Sequence, residues 1–201
     1  MDRRAFLFSS AAAAVVGTPA LADKISLNAL SGYLNGISAA AAEFTQVNDD
    51  GTLATGQLML QRPGRMRFEY DSPEDTLVIA GQGQIAIFDG RSNVPDAEKY
   101  PLNQTPLKLI LERTVNLARR NMVVGHDFDG SATVVVAQDP ERPEYGSISL
   151  KFTGDPIELR QWVVTDGQGA TTTVILGKFE KRQGFSPRLF DIKGEEKRRS
   201  G

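Results

Sequence analysis

The sequence predicts a mainly β (α+β) fold, an antiparallel sheet of about ten or eleven strands that curls or closes, with helices covering its concave apolar face. Three observations predict it. Short alternating apolar–polar segments recur between turn signals such as Asn48-Asp49-Asp50-Gly51, Asp129-Gly130 and Asp166-Gly167-Gln168-Gly169. Helical spacing is confined to one stretch near the start and one mid-chain. No helical spacer separates the later strands, so they pair antiparallel. A sheet of that many strands curls, and the helices then bury their apolar stripes on its hollow side.

The chain opens with a leader. Met1–Ala22 carries Arg3-Arg4, an apolar run from Ala5 to Val16, and Ala20-Leu21-Ala22, the charged, apolar and small-residue order of an export signal. The run is too short to span a bilayer. Arg3-Arg4-Ala5-Phe6-Leu7 looks like a twin-arginine signal with Asp2 in place of the usual Ser or Thr. The mature protein is expected to be one exported, soluble domain, residues 23–201. No Cys follows Ala22, so it is not expected to be a lipoprotein itself.

Lys24–Ala42 reads as a helix with Leu27, Leu30, Leu34 and Ile37 on one stripe, weakened by Gly32 and Gly36 and therefore dependent on docking. Strands follow at Phe44–Val47, Thr52–Gln61, Arg65–Tyr70, Thr76–Ala80 and Ile85–Asp89. Thr105-Pro106 reads as an N-cap with proline at the first helical position. It opens a second helix whose stripe is Leu107, Ile110, Leu111, Val115 and Ala118, with Arg119-Arg120 complementing its dipole. Six more strands are expected at Met122–His126, Ala132–Gln138, Ser147–Phe152, Glu158–Asp166, Ala170–Leu176 and near Leu189–Ile192, and the tail Lys193–Gly201 reads as frayed.

Composition excludes several functions. Of 201 residues, 40% are hydrophobic and 24% charged, and the formal net charge is −2; losing Asp2, Arg3 and Arg4 with the leader makes it −3. That balance gives no electrostatic footprint for nucleic acid. Zero cysteines exclude disulfides, thiolate chemistry and most structural zinc sites. The single histidine, His126, reads as a strand-end residue beside a turn rather than a metal ligand. There is no G-x-S-x-G elbow and no glycine-rich loop leading from a strand into a helix, so neither catalysis nor a cofactor is expected.

The most informative stretch is Gly56–Tyr70, GQLMLQRPGRMRFEY. Its even positions, Gly56, Leu58, Leu60, Arg62, Gly64, Met66, Phe68 and Tyr70, form the apolar face, with a charge among them at Arg62, just before Pro63-Gly64. A charge on an inward face is costly unless its donors are met. Arg62 is therefore either a solvated hairpin-tip residue or one that sits at a cavity mouth and bonds what closes it. Further apolar pairs, such as Leu77 with Ile79 and Trp162 with Val164, fit a filled core and a hollow one equally, because periodicity is blind to volume.

This stretch, with its arginine-proline followed by an aromatic-rich run, resembles the LolA family of periplasmic lipoprotein carriers. The resemblance extends to Phe44-Thr45-Gln46, the run from Ile79 to Asp89, Pro106-Leu107, and the late hairpin from Asp166 through Gly169 and Thr172 to Val174. It implies an open, incomplete antiparallel β-barrel with a helical lid that binds lipoprotein acyl chains. The cargo would come from an inner-membrane lipoprotein-releasing ABC transporter and pass to an outer-membrane acceptor, with the carrier acting as a monomer. Leu58, Leu60, Met66 and Phe68 are expected to line the acyl-chain cavity, and Arg62 corresponds to the family's lid-bonding arginine. Met66 stands where the family often has an aromatic, and some members continue past the position of Ile192 into an extra loop and strand. A carrier of free lipid or glycolipid on the same fold, and a lipid- or lipoprotein-sensing regulatory domain, are the alternatives.

Overall fold

The computed structural model describes residues 23–92, 94–118 and 121–201; the leader Met1–Ala22 and the Arg119-Arg120 pair lie outside the described residues. Among the described residues twelve strands make one sheet: β1 (Ala39–Val47), β2 (Leu53–Gln61), β3 (Arg65–Tyr70), β4 (Leu77–Gly81), β5 (Gln84–Phe88), β6 (Glu98–Pro101), β7 (Val123–Phe128), β8 (Thr133–Gln138), β9 (Ser147–Thr153), β10 (Glu158–Thr165), β11 (Thr171–Leu176) and β12 (Glu180–Lys181). Their order is β6-β5-β4-β3-β2-β1-β11-β10-β9-β8-β7, with β12 attached to β1. Neighbouring pairs are antiparallel, and β6 and β7 remain as unjoined edges, so the expected open antiparallel barrel is what forms. β6 and β12 escape the sequence reading because their residues are exposed and carry no alternation.

One face of the sheet, called inner here, carries the main core. Along β2 the even positions Leu58 and Leu60 are buried and pair with Phe68 and Met66 of β3. Gly56 lies against Phe44 and opposite Tyr70 on the same face; a Cβ there would sit 2.0 Å from the Glu69 carbonyl oxygen. The missing side chain lets the Phe44 ring meet those of Phe68 and Tyr70 edge-on at 5.0 Å.

The lid over the inner face has less helix than its periodicity suggests. The first helix, α1, runs only from Leu27 to Asn35, capped by the Ser26 hydroxyl, which accepts from the Ala29 N–H at 3.2 Å. It stops at Gly36, and Ala39–Ala42, good helix formers, begin β1 instead. Nine consecutive pairs with β2, from Ala39–Gln61 to Val47–Leu53, override their propensity. The second expected helix is reduced to a short 3₁₀ turn, Leu102–Gln104, and a single turn, α2 (Lys108–Leu111). Beyond it Val115 and Leu117 are buried without helix, because their backbone groups bond to α1 side chains.

The C-terminal expectation is also corrected. No strand forms near Leu189–Ile192, and the tail is not frayed: a 3₁₀ turn, Pro187–Phe190, leads into α3 (Ile192–Arg199), which docks on the outer face. Phe190 and Ile192 pack there with Leu77, Ile79, Ala86 and Phe88 in a second, smaller core. β4 and β5 are thus buried on both faces, which is why Leu77-Val78-Ile79-Ala80 and Ile85-Ala86-Ile87-Phe88 read as continuous apolar runs. Gly81 lets the strap lie close, since a Cβ there would meet the Phe190 carbonyl oxygen at 2.4 Å. Under α3 the buried Arg67 guanidinium donates to Glu69 at 2.7 Å and to the Leu189 carbonyl at 3.0 Å, with Glu195 3.8 Å away.

Candidate functional site

The site is built where the β2–β3 turn meets the lid. β2 carries Leu58 and Leu60 inward and delivers Arg62 at its end; β3 returns with Met66 and Phe68 on the same face. Arg62 is half-buried, and its donors are met by the end of α1. Nε donates to the Ile37 carbonyl at 2.9 Å, Nη2 donates to the Leu34 carbonyl, and Nη1 lies 3.5 Å from the Asn35 side-chain oxygen. Its backbone N–H donates to the Ser38 carbonyl at 2.9 Å. Helix C-termini leave carbonyls without intrahelical partners, and a cation there complements the dipole. Burial pulls the guanidinium pKa below its ordinary value, yet arginine stays charged in proteins. Arg62 is therefore bonded to one lid element rather than standing in water at a hairpin tip.

The other lid element is tied to the same turn by backbone: the Gly64 N–H donates to the Leu111 carbonyl at 2.8 Å. Two α1 side chains then join the lid elements to each other. Asn35 accepts from the Val115 N–H at 2.9 Å and donates to the Val115 carbonyl at 2.8 Å. The Ser31 hydroxyl accepts from the Leu117 N–H at 3.0 Å and donates to the Leu27 carbonyl at 2.7 Å. Ser31 and Asn35 were not singled out from the sequence. Their signal was present: with Leu27 they form an i, i+4 row beside the apolar stripe, two polar residues where a docked helix buries its flank.

The four expected cavity residues are brought together, but the space among them is filled. Leu58, Met66 and Phe68 are buried against neighbouring core side chains, and Phe68 lies edge-on to Trp162 at 6.3 Å. Of the four, Leu60 borders a partly open apolar pocket of about 20 Å³ that Arg62 and Trp162 also line. That volume holds about one water molecule. Leu34, Ile37 and Ile110 come to it from the lid, Leu159 and Trp162 from β10, and Phe179 from the β11–β12 connection. In this closed arrangement an acyl chain has room only if the lid side chains move. Trp162, Leu159 and Phe179 could not be assigned to this space from sequence, because strands distant in the chain supply them.

The far end of α1 has its own anchor. The Ile25 N–H donates to the Thr133 hydroxyl at 2.8 Å, and His126 Nε2 lies 2.9 Å from the Ile25 carbonyl. His126 is thus within β7 rather than at its end, because the strand continues to Phe128, and its imidazole orients the lead-in to the helix. Among the described residues no group of three His, Cys, Asp or Glu side chains is placed to hold a metal ion. No helix among them is long and apolar enough to cross a membrane.

The family model for LolA, the outer membrane lipoprotein carrier protein, matches residues 35–193. An outer-membrane lipoprotein carrier protein of Azotobacter vinelandii is 24% identical over 206 residues, covering 96% of this chain and 95% of that protein. One from Nitrosomonas europaea is 27% identical over 150 residues, covering 69% of this chain and 68% of that protein. Among solved structures, a LolA superfamily protein from Nitrosomonas europaea superposes with a TM-score of 0.45 at 8% identity, covering 83% of this chain and 98% of that one.

Proposed function

This chain belongs to the LolA family of outer membrane lipoprotein carrier proteins, and from that premise we propose that it carries lipoproteins across the periplasm with their acyl chains shielded under the lid. Cargo is taken from an inner-membrane lipoprotein-releasing ABC transporter and passed to an outer-membrane acceptor, the carrier acting as a monomer. A carrier family is not an enzyme family. Each buried CH₂ of a lipid chain is worth about 0.8 kcal/mol, so exposure of several chains to water is prohibitive and a carrier must enclose them.

The observation that carries this reading is the bonding of Arg62 to the carbonyls at the end of α1, which we take as a latch. At its Arg62 end, the lid over the apolar inner face is held by a small number of polar bonds, with Leu60, Trp162 and the lid meeting around a small apolar pocket. An arginine at this rim stabilises the end of α1 by bonding its carbonyls and complementing its dipole. A lid that must open and re-close gains charge-assisted bonds that can be remade. Loading then exchanges these bonds and lid contacts for acyl-chain contacts on Leu58, Leu60, Met66 and Phe68.

Mass spectrometry of the material that co-purifies with the mature protein from periplasm tests the reading. Triacylated polypeptide is the expected cargo. Free phospholipid or glycolipid alone would replace the proposal with a free-lipid carrier, and protein without bound lipid in cells producing lipoproteins would overturn it. Depletion in the host is expected to leave outer-membrane lipoproteins at the inner membrane.

A further inference from the structure

We propose that acyl chains enter through a seam in the sheet between β10 and the segment after β11, with Phe179 as the gate and Tyr33 as its lid-side tie. The proposal rests on the carrier reading and places its entrance. β11 pairs with β10 from Thr171–Thr165 to Ile175–Gln161. At Gly177 the chain leaves β10: the Gly177 N–H donates to the Glu43 carbonyl at 2.8 Å, and the chain rejoins β1 as β12 opposite Ala40 and Ala41. β10 continues past that point to Glu158, paired there with β9 across a bulge between Leu159 and Gln161. The two strands therefore part at Leu159.

What meets Leu159 there comes from the lid. Its backbone N–H donates to the Tyr33 hydroxyl at 3.0 Å, and the Tyr33 ring lies edge-on to Phe152 at 6.0 Å. Phe179, half-buried on the segment held to β1, packs over the inside of the seam. Directly beneath is the small apolar pocket, with Leu159 and Trp162 on the sheet side, Leu34 and Ile37 on the lid side, and Arg62 at its rim.

This arrangement suits one class of ligand, a long unbranched acyl chain attached to a polar ester head. Entry at the seam displaces the Phe179 ring and one hydroxyl bond and leaves every strand pairing intact. Entry at the other end of α1 has to part Ile25 from both Thr133 and His126. Arg62 faces the same pocket, so release of the latch and displacement of Phe179 open a single gap. The guanidinium is then left at the rim, where ester carbonyls can accept from it.

The chain's single tryptophan makes the test direct. A synthetic triacylated lipopeptide with brominated chains is added to the mature protein, and Trp162 quenching is followed in time. Tyr33→Phe is expected to raise the uptake rate about fivefold, the scale of one lost hydrogen bond, and Phe179→Ala to raise it as well. In parallel, a photoreactive benzoylphenylalanine at position 179 is expected to cross-link the lipopeptide, whereas the same probe at exposed Ile175 on the outer face does not. Quenching at the wild-type rate in both variants, with no cross-link above the Ile175 control, overturns the seam and leaves the carrier reading standing. Absence of quenching and cross-linking in every form, wild type included, overturns both.

Discussion

Asn35 and Val115, 80 positions apart, pair like two residues of a sheet: the side-chain amide of one accepts from and donates to the backbone of the other, at 2.9 and 2.8 Å. This pairing fastens the irregular lid segment to α1, and the Asn35 oxygen also lies 3.5 Å from Arg62. The two lid elements and the β2–β3 turn thus share one polar node.

Removing that node should loosen the lid locally. Asn35→Ala leaves the Val115 N–H and C=O without their partner, a loss of about 1–3 kcal/mol. Amide exchange at Val115 and Leu117 is expected to rise well before exchange in β1 and β2. Uniform exchange changes across the sheet would show that Asn35 supports the whole fold rather than the lid.

Arg62→Leu keeps the apolar stem and removes the donors to Leu34 and Ile37. Each such charge-assisted bond is worth roughly 1.5–3 kcal/mol, so the closed empty form loses stability. Uptake should survive while release slows, because re-closure no longer offsets the loss of acyl contacts. The variant is expected to accumulate loaded and fail to transfer to a purified acceptor; Arg62→Lys should restore transfer only in part, lacking the planar fork. Wild-type transfer by Arg62→Leu would remove the latch from the mechanism.

Met66 is packed in the closed form, so its variants act on stability and capture together. Met66→Leu, nearly equal in volume, should cost less than about 1.5 kcal/mol. Met66→Ala should cost about 2–5 kcal/mol in the empty protein. Denaturation midpoints with and without lipopeptide measure both states; an unchanged midpoint in empty Met66→Ala would contradict the packing described here.

Tyr70 supplies a pH dependence. Its hydroxyl donates to the Gln46 side-chain oxygen at 2.6 Å, and burial pushes its pKa from 10.0 up to about 12. The folded state holds the proton more tightly than the unfolded state. This contribution is therefore fully present below pH 10.0 and is lost as pH rises through about 12. The stability curve of Tyr70→Phe should be flatter over that interval, and a parallel curve would refute the assignment.

On the outer face, Glu195→Ala removes one acidic neighbour of buried Arg67 and the partner of Arg199 at 3.2 Å. A loss of about 1–3 kcal/mol is expected, with faster amide exchange in α3. Glu195→Gln should lose less. An α3 that exchanges as freely in wild type would mean that the strap is not docked in solution.

The sequence by itself determined the sheet: nearly every long strand was legible from alternation and turn residues, because both are local properties of the backbone. It also marked Arg62 as a charge on an apolar face, and it set the lid's apolar side chains at Leu30, Leu34, Ile110, Leu111 and Val115, all of which are buried. Tertiary structure decided how those residues are held. Helical spacing through Val115 records burial, and burial is met here by an irregular segment whose backbone bonds are taken by Asn35 and Ser31 from across the chain. Likewise Ala39–Ala42 read as helix until β2 offers them a ladder. The tail read as frayed because charges dominate it, yet Phe190 and Ile192 pack on the outer face and Glu195 is buried beside Arg67, so a helix docks there. The volume left under the lid was beyond any periodicity, since it depends on how Phe179, Leu159 and Trp162 fill space after strands far apart in the chain have been brought side by side.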